Sequence, residues 1–175
     1  MMIQNTDALL SLAEICAAFV GFAALVSVLR RSGDKLADAA HDLLRLRLVI
    51  SSSVAGVAAA LIPVGIAGYG LEEGLVWRLA AFMFLVLDSG IIASFLSAYR
   101  PLRGEFAPDL LAVIVVTALE VVEQISLVAV LVGFSFGNAP ALYVTALIAN
   151  ICQAGFVFVR FVGSAFHHEH HLSES

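Results

Sequence analysis

Residues 108–134 read PDLLAVIVVTALEVVEQISLVAVLVGF, with only Asp109, Glu120 and Glu123 charged. A hydrocarbon core of ~30 Å takes about 20 helical residues at ~1.5 Å each, so this apolar run is long enough to cross a bilayer. Pro108 suits the first helical position, where its missing N–H leaves no bond unmade. The stretch therefore predicts a transmembrane helix, and it places Glu120, Glu123 and Gln124 near the middle of that helix, far from water.

Four more spans follow on the same reasoning, at about 7–30, 47–69, 77–99 and 141–166. The predicted fold is all-α: an integral membrane bundle of five transmembrane helices forming one domain over residues 1–166, with a tail, HHEHHLSES, at 167–175. Ahead of the second span lies KLADAAHDLLRLR (35–47), with Leu36, Ala39, Ala40, Leu43 and Leu44 at helical spacing. It reads as an amphipathic cytoplasmic extension of that helix. Pro63 removes a backbone donor within the second span and predicts a kink. Ser32-Gly33-Asp34, Gly70 to Gly74, Arg103-Gly104-Glu105 and Ser135 to Pro140 form the connections, with Asn138 as a capping candidate.

Composition agrees. Of 175 residues, 61% are hydrophobic and 13% charged, against about 25% charged in soluble domains. The mean hydropathy is +1.00. The N-terminus MMIQNTD lacks the basic region of a cleavable signal peptide, and the first apolar run is long enough to span. Cys16 and Cys152 both fall in apolar segments and read as buried free cysteines.

Basic residues set the orientation. Arg30, Arg31, Lys35, Arg45, Arg47, Arg100, Arg103 and Arg160 lie toward one side, and only Arg78 toward the other. The positive-inside rule then puts the N-terminus out and the C-terminus in, as an odd number of spans requires. The expected location is a bacterial inner (plasma) membrane. Tyr69, Trp77 and Tyr143 are expected at the outer interface and Tyr99 at the inner one. Arg45 and Arg47 are placed to meet anionic headgroups, and Arg160 to snorkel toward them.

The functional clue is a set of polar groups in the wrong solvent. Asp88 and Glu120 each lie roughly 16–18 Å from the interface where their span begins. Glu123 and Gln124 follow within a turn, Asn150 and Gln153 share the fifth span, and Glu14 sits higher in the first. An ionised carboxylate at the midplane costs at least ~2.5–3.5 kcal/mol, so such groups normally face the bundle interior or a wet cavity. Thr117, Glu120 and Gln124 share one helical stripe, with Glu123 about 60° away. Asp7, Ser11, Glu14, Ala18 and Gly21 make a polar and small face on the first span, and Ser52, Gly56, Ala59 and Ala60 a small stripe on the second.

Carboxylates without a basic partner attract cations, and carboxyl groups can relay protons. The expectation is a small channel or transporter for a cation or proton. Its pathway would use Glu14, Asp88, Thr117, Glu120, Glu123, Gln124, Asn150 and Gln153. A bundle of five helices has little room for a wide pore, so the pathway is narrow or assembled between protomers of a homo-oligomer. Three other readings stay open, one of them a membrane enzyme that uses the carboxylates for metal chemistry and would need a tightly bound metal lost on Glu120 or Glu123 substitution. The acids can bond across helices to Asn150, Gln153 and hydroxyl groups and so fix helix register. Alternatively the chain is an accessory or scaffold subunit whose polar residues pair with a partner's helices.

In the tail, His167 and His171 are one turn apart if the last helix continues, and would then offer a metal site. No cofactor is expected apart from a bound cation. HExxH, GxSxG, P-loop and CxxC patterns are absent from the sequence, so no enzyme is expected. Asp34, Asp38 and Asp42 interrupt the basic residues of the first loop, which argues against nucleic-acid binding.

Overall fold

The computed structural model describes residues 5–29, 36–102, 110–134 and 138–172, and every regular element among them is helical. The order is α1 (Thr6–Leu29), α2 (Leu36–Ala67), α3 (Glu73–Tyr99), α4 (Leu110–Val132) and α5 (Ala139–Leu172), with a 3-10 turn at Arg100–Leu102 after α3. All five helices are long and apolar enough to cross a membrane. Their outward faces carry large apolar side chains such as Val28, Ile114, Ile125 and Val159. Water would penalise so extensive an apolar surface, whereas lipid does not. The protein is an integral membrane protein whose helices meet the bilayer directly.

Local chemistry explains the ends that are visible. Asn138 precedes α5, and its Oδ1 accepts from the Ala141 backbone N–H at 3.1 Å, which makes it the N-cap. Gly133 ends α4 with φ +80°, and a Cβ there would come within 2.6 Å of an Arg78 guanidinium nitrogen. The positive φ is what favours glycine there, since the Arg78 side chain could swing aside from a Cβ. The expected break at Ser32-Gly33-Asp34, the turn at Arg103-Gly104-Glu105 and the start at Pro108 lie outside the described residues. The amphipathic stretch from Leu36 is continuous with the span of α2.

Helices α2 and α5 occupy the middle of the bundle. Helix α1 packs mainly on α2 and also on α5, α3 packs on α2 and α4, and α4 packs on α5. The α1–α2 contact is close because small residues face each other. A Cβ at Gly56 would lie 2.6 Å from Cys16 Sγ and 3.2 Å from Asn150 Oδ1.

The apolar core is not centred. Leu9, Ala59, Ala60, Trp77, Ala80, Ala81, Phe84, Leu127, Val130, Tyr143 and Leu147 are all buried together. They come from the start of α1, α3 and α5 and the end of α2 and α4, hence from the end of the bundle that carries the N-terminus. Toward the other end α3 and α4 are held less tightly: no residue is buried from Ser89 to Tyr99 or from Leu110 to Leu119.

Two expectations change here. Trp77 and Tyr143 do not turn their rings toward lipid or headgroups: both are fully buried, with ring centroids 5.5 Å apart. Alanines at 59, 60, 80 and 81 leave the space their rings fill. Tyr69 does stand outward. Of the two free cysteines Cys16 is buried, whereas Cys152 is exposed on the surface of α5. An apolar segment does not show which side of a helix faces its neighbours, and position 152 falls on the outer side.

Candidate functional site

Helices α3 and α4 run antiparallel, so depth can be matched between them. Asp88 precedes the end of α3 at Tyr99 by eleven residues, and Glu120 follows the start of α4 at Leu110 by ten. At ~1.5 Å per residue both lie about 15–17 Å from that end of the bundle. The shared level brings their side chains together with that of Glu123. One carboxylate oxygen from each of Asp88, Glu120 and Glu123 lies within 4.8 Å of the other two. Asp88 is 4% exposed and Glu123 0%, while Glu120 is half-buried.

Amides surround the acids. The Gln124 side-chain nitrogen donates to Asp88 Oδ2 across the α3–α4 contact, and to Glu120 Oε1 on its own helix at 2.8 Å. From α5, the Gln153 amide donates to Glu120 Oε2 at 3.2 Å. Asn150, close enough to act on the Glu123 carboxyl group, is buried and gives its amide hydrogen to Ser52 Oγ on α2 at 3.0 Å. Four helices therefore meet at one polar level. Both carboxylate oxygens of Glu123 and the side-chain carbonyl of Asn150 are buried without a hydrogen-bond partner.

Among the described residues, the groups that act on Asp88 and Glu123 are other acids and amides, none of them basic. Two full charges 4.8 Å apart repel by about 3–4 kcal/mol at an effective dielectric of ~20. Three carboxylates on this scale therefore call for positive charge between them, carried by protons or by a metal cation. The apolar core covers the cluster on the N-terminal side. On the other side stand the less tightly packed halves of α3 and α4. A separate cleft of about 170 Å³ between α2 and α3 is lined by Leu44, Arg47, Ser51, Gly90, Ser94 and Phe95. There Arg47 donates to Ser94 Oγ at 3.3 Å.

Six of the eight expected pathway residues are thus gathered at or beside this level: Asp88, Glu120, Glu123, Gln124, Asn150 and Gln153. Thr117 is exposed. It shares the stripe of Glu120 but belongs to the half of α4 that buries nothing. Glu14 is exposed on α1, on the same outward side as Ser11, Ala18 and Gly21. Helix α5 continues through positions 167 and 171, one turn apart, but the His167 and His171 side chains lie outside the described residues.

Sequence reasoning passed over Ser52 and Tyr143 as polar partners. The run Ser51-Ser52-Ser53 within an apolar span was the available signal for the first; two of the three serines are buried. No protein-family model, no curated protein and no solved structure matches this chain. Fold and site together define the class: a five-helix membrane protein with an acidic cluster buried inside its bundle.

Proposed function

We propose that the protein is a small channel or transporter that moves a cation or proton through the bilayer by way of the Asp88–Glu120–Glu123 cluster. The observation that supports this is three carboxylates from two helices within 4.8 Å of one another at mid-bundle, with no basic group acting on Asp88 or Glu123 among the described residues. Burial of this kind is expensive in a membrane and is typical of ion and proton pathways. Gln124 and Gln153 hold the acids in register, and the looser halves of α3 and α4 give the ion its approach. On the charge bias of the loops that approach is cytoplasmic, with the N-terminus out and the C-terminus in, in a bacterial inner membrane. The reading contains no enzymatic step.

The outward side of α1 favours assembly. Glu14 has no hydrogen bond or ion pair among the described residues, and it is exposed at a depth where lipid is a poor solvent for a carboxylate. A homo-oligomer would cover it. The same observation suits the second reading, an accessory subunit whose α1 docks on a partner's helices.

Flux measurements decide between them. Purified protein in liposomes is assayed for H⁺, Na⁺, K⁺ and Ca²⁺ movement, beside Glu120→Gln/Glu123→Gln. Flux in the wild type that the double variant changes supports the pathway. Absence of flux from folded protein across several pH values and voltages removes it in favour of the accessory subunit.

A further inference from the structure

We infer that the Asp88–Glu120–Glu123 cluster is a binding site for a hard divalent cation of Mn²⁺ or Ca²⁺ size. The inference rests on the reading above, that this cluster is where positive charge is handled, and it names the class of ion.

Three features carry it beyond a group of acids. Glu123 is 0% exposed and neither of its carboxylate oxygens has a hydrogen-bond partner. A fully buried carboxyl group with no hydrogen bond of good geometry, and only the Asn150 amide acting on it besides other acids, is rare and calls for an explanation. It is aimed into the cluster, with an oxygen inside the 4.8 Å set. The scale also fits. Oxygens on opposite sides of a calcium ion bound at ~2.3–2.6 Å are about 4.6–5.2 Å apart.

The donors are all oxygens. Three carboxylates are joined by the amides of Gln124 and Gln153, whose nitrogens now point at the acids. Turning either amide about its last torsion brings its carbonyl oxygen to the same place. The Gln124 N–H groups thus supply positive polarity to Asp88 and Glu120 until a cation takes it over. No histidine or cysteine belongs to the set, and Cys16 Sγ points instead toward Gly56. Carboxylate and carbonyl oxygens select calcium, magnesium or manganese over softer zinc and copper. Among these magnesium sheds water reluctantly and prefers to keep it, which suits a dry mid-membrane site poorly.

The test is Mn²⁺ binding to the full chain in detergent, counted by loss of the free-ion electron paramagnetic resonance signal, with Ca²⁺ as competitor. The expected result is one saturable Mn²⁺ per chain, displaced by Ca²⁺ and weakened at least about tenfold in Asp88→Asn and in Glu123→Gln. Size-exclusion profiles show which variants remain folded. Should Glu123→Gln not fold, Glu120→Gln carries the same expectation at a half-buried position. No saturable binding to folded wild type overturns the inference, as does binding unchanged in the folded variants. Proton or monovalent flux without Mn²⁺ binding overturns it while leaving the transport reading intact.

Discussion

The Tyr143 hydroxyl donates to the backbone carbonyl of Ala59 at 2.7 Å, deep in the bundle. Ala59 is four residues before Pro63, and Pro63 lies inside α2. A proline has no N–H to offer the carbonyl one turn earlier. In lipid that carbonyl has no water to turn to, so a neighbouring helix must satisfy it. Tyr143 on α5 does so. Losing it through Tyr143→Phe is expected to cost about 1–3 kcal/mol, the penalty for a buried acceptor left unmatched. Adding Pro63→Ala should recover most of the loss, because residue 63 then donates within α2. Denaturant titration of the two variants and their combination measures the coupling. Equal losses with or without Pro63 would break the link.

A second prediction concerns the approach of α1 to α2. The methyl group of Gly56→Ala would meet Cys16 Sγ at 2.6 Å, and a packed interior resists such insertions by about 1–3 kcal/mol. The destabilisation should shrink in Cys16→Ala/Gly56→Ala, where the sulfur is gone. Thermal unfolding in detergent reads both. If Cys16→Ala gives no relief, the contact is softer than the distance implies.

How much was legible beforehand depended on what each residue's neighbours had to reveal. Spans followed from length and apolarity alone, since a bilayer imposes both. Asp88, Glu120 and Gln124 could be matched in depth by counting from helix ends, and their meeting followed from the antiparallel order of α3 and α4. Rotation was harder. The stripe of Thr117 and Glu120 carried no sign that the first half of α4 leaves the packed interior. Tyr143 looked like an interfacial anchor because its depth is right for one; the alanines that make room for its ring lie on two other helices. Cys152 and Glu14 failed to show their outward direction for the same reason. Within a fully apolar segment no hydrophobic periodicity marks the buried side.

The amides around the acids should not be equivalent. Gln124 donates to two carboxylates, Asp88 and Glu120, while Gln153 donates to Glu120 alone. A hydrogen bond to a charged group is worth about 1.5–3 kcal/mol. Gln124→Leu is therefore expected to destabilise the fold more than Gln153→Leu, by about the worth of one such bond. Unfolding midpoints of the two variants settle the order, and the reverse order would move the centre of the network to α5.

Orientation can be read by cysteine labelling in a Cys16→Ala/Cys152→Ala background. Ser32→Cys and Gly104→Cys in intact cells should resist a membrane-impermeant maleimide, and Glu72→Cys should react. The charge bias that underlies this counts eight basic residues against one. The opposite pattern would invert the topology and turn the looser end of the bundle outward.

Glu14 separates the acid that serves the bundle from those that form its site. It is exposed on α1, whereas the cluster is built from α3 and α4. Glu14→Leu removes a carboxylate from the lipid-facing surface and so removes an insertion cost on the order of 2.5–3.5 kcal/mol if that surface meets lipid. The isolated protomer should then become more stable. Association should fall, because covering the carboxylate no longer rewards contact between copies. Cation binding at the cluster should stay within about twofold of wild type, since Glu14 is exposed on α1 and sites with no shared partner act independently. Crosslinking in membranes reports association, and the Mn²⁺ titration reports the cluster. Unchanged association would free α1 from the interface and leave the exposed faces of α3 and α4 as the remaining surfaces for assembly.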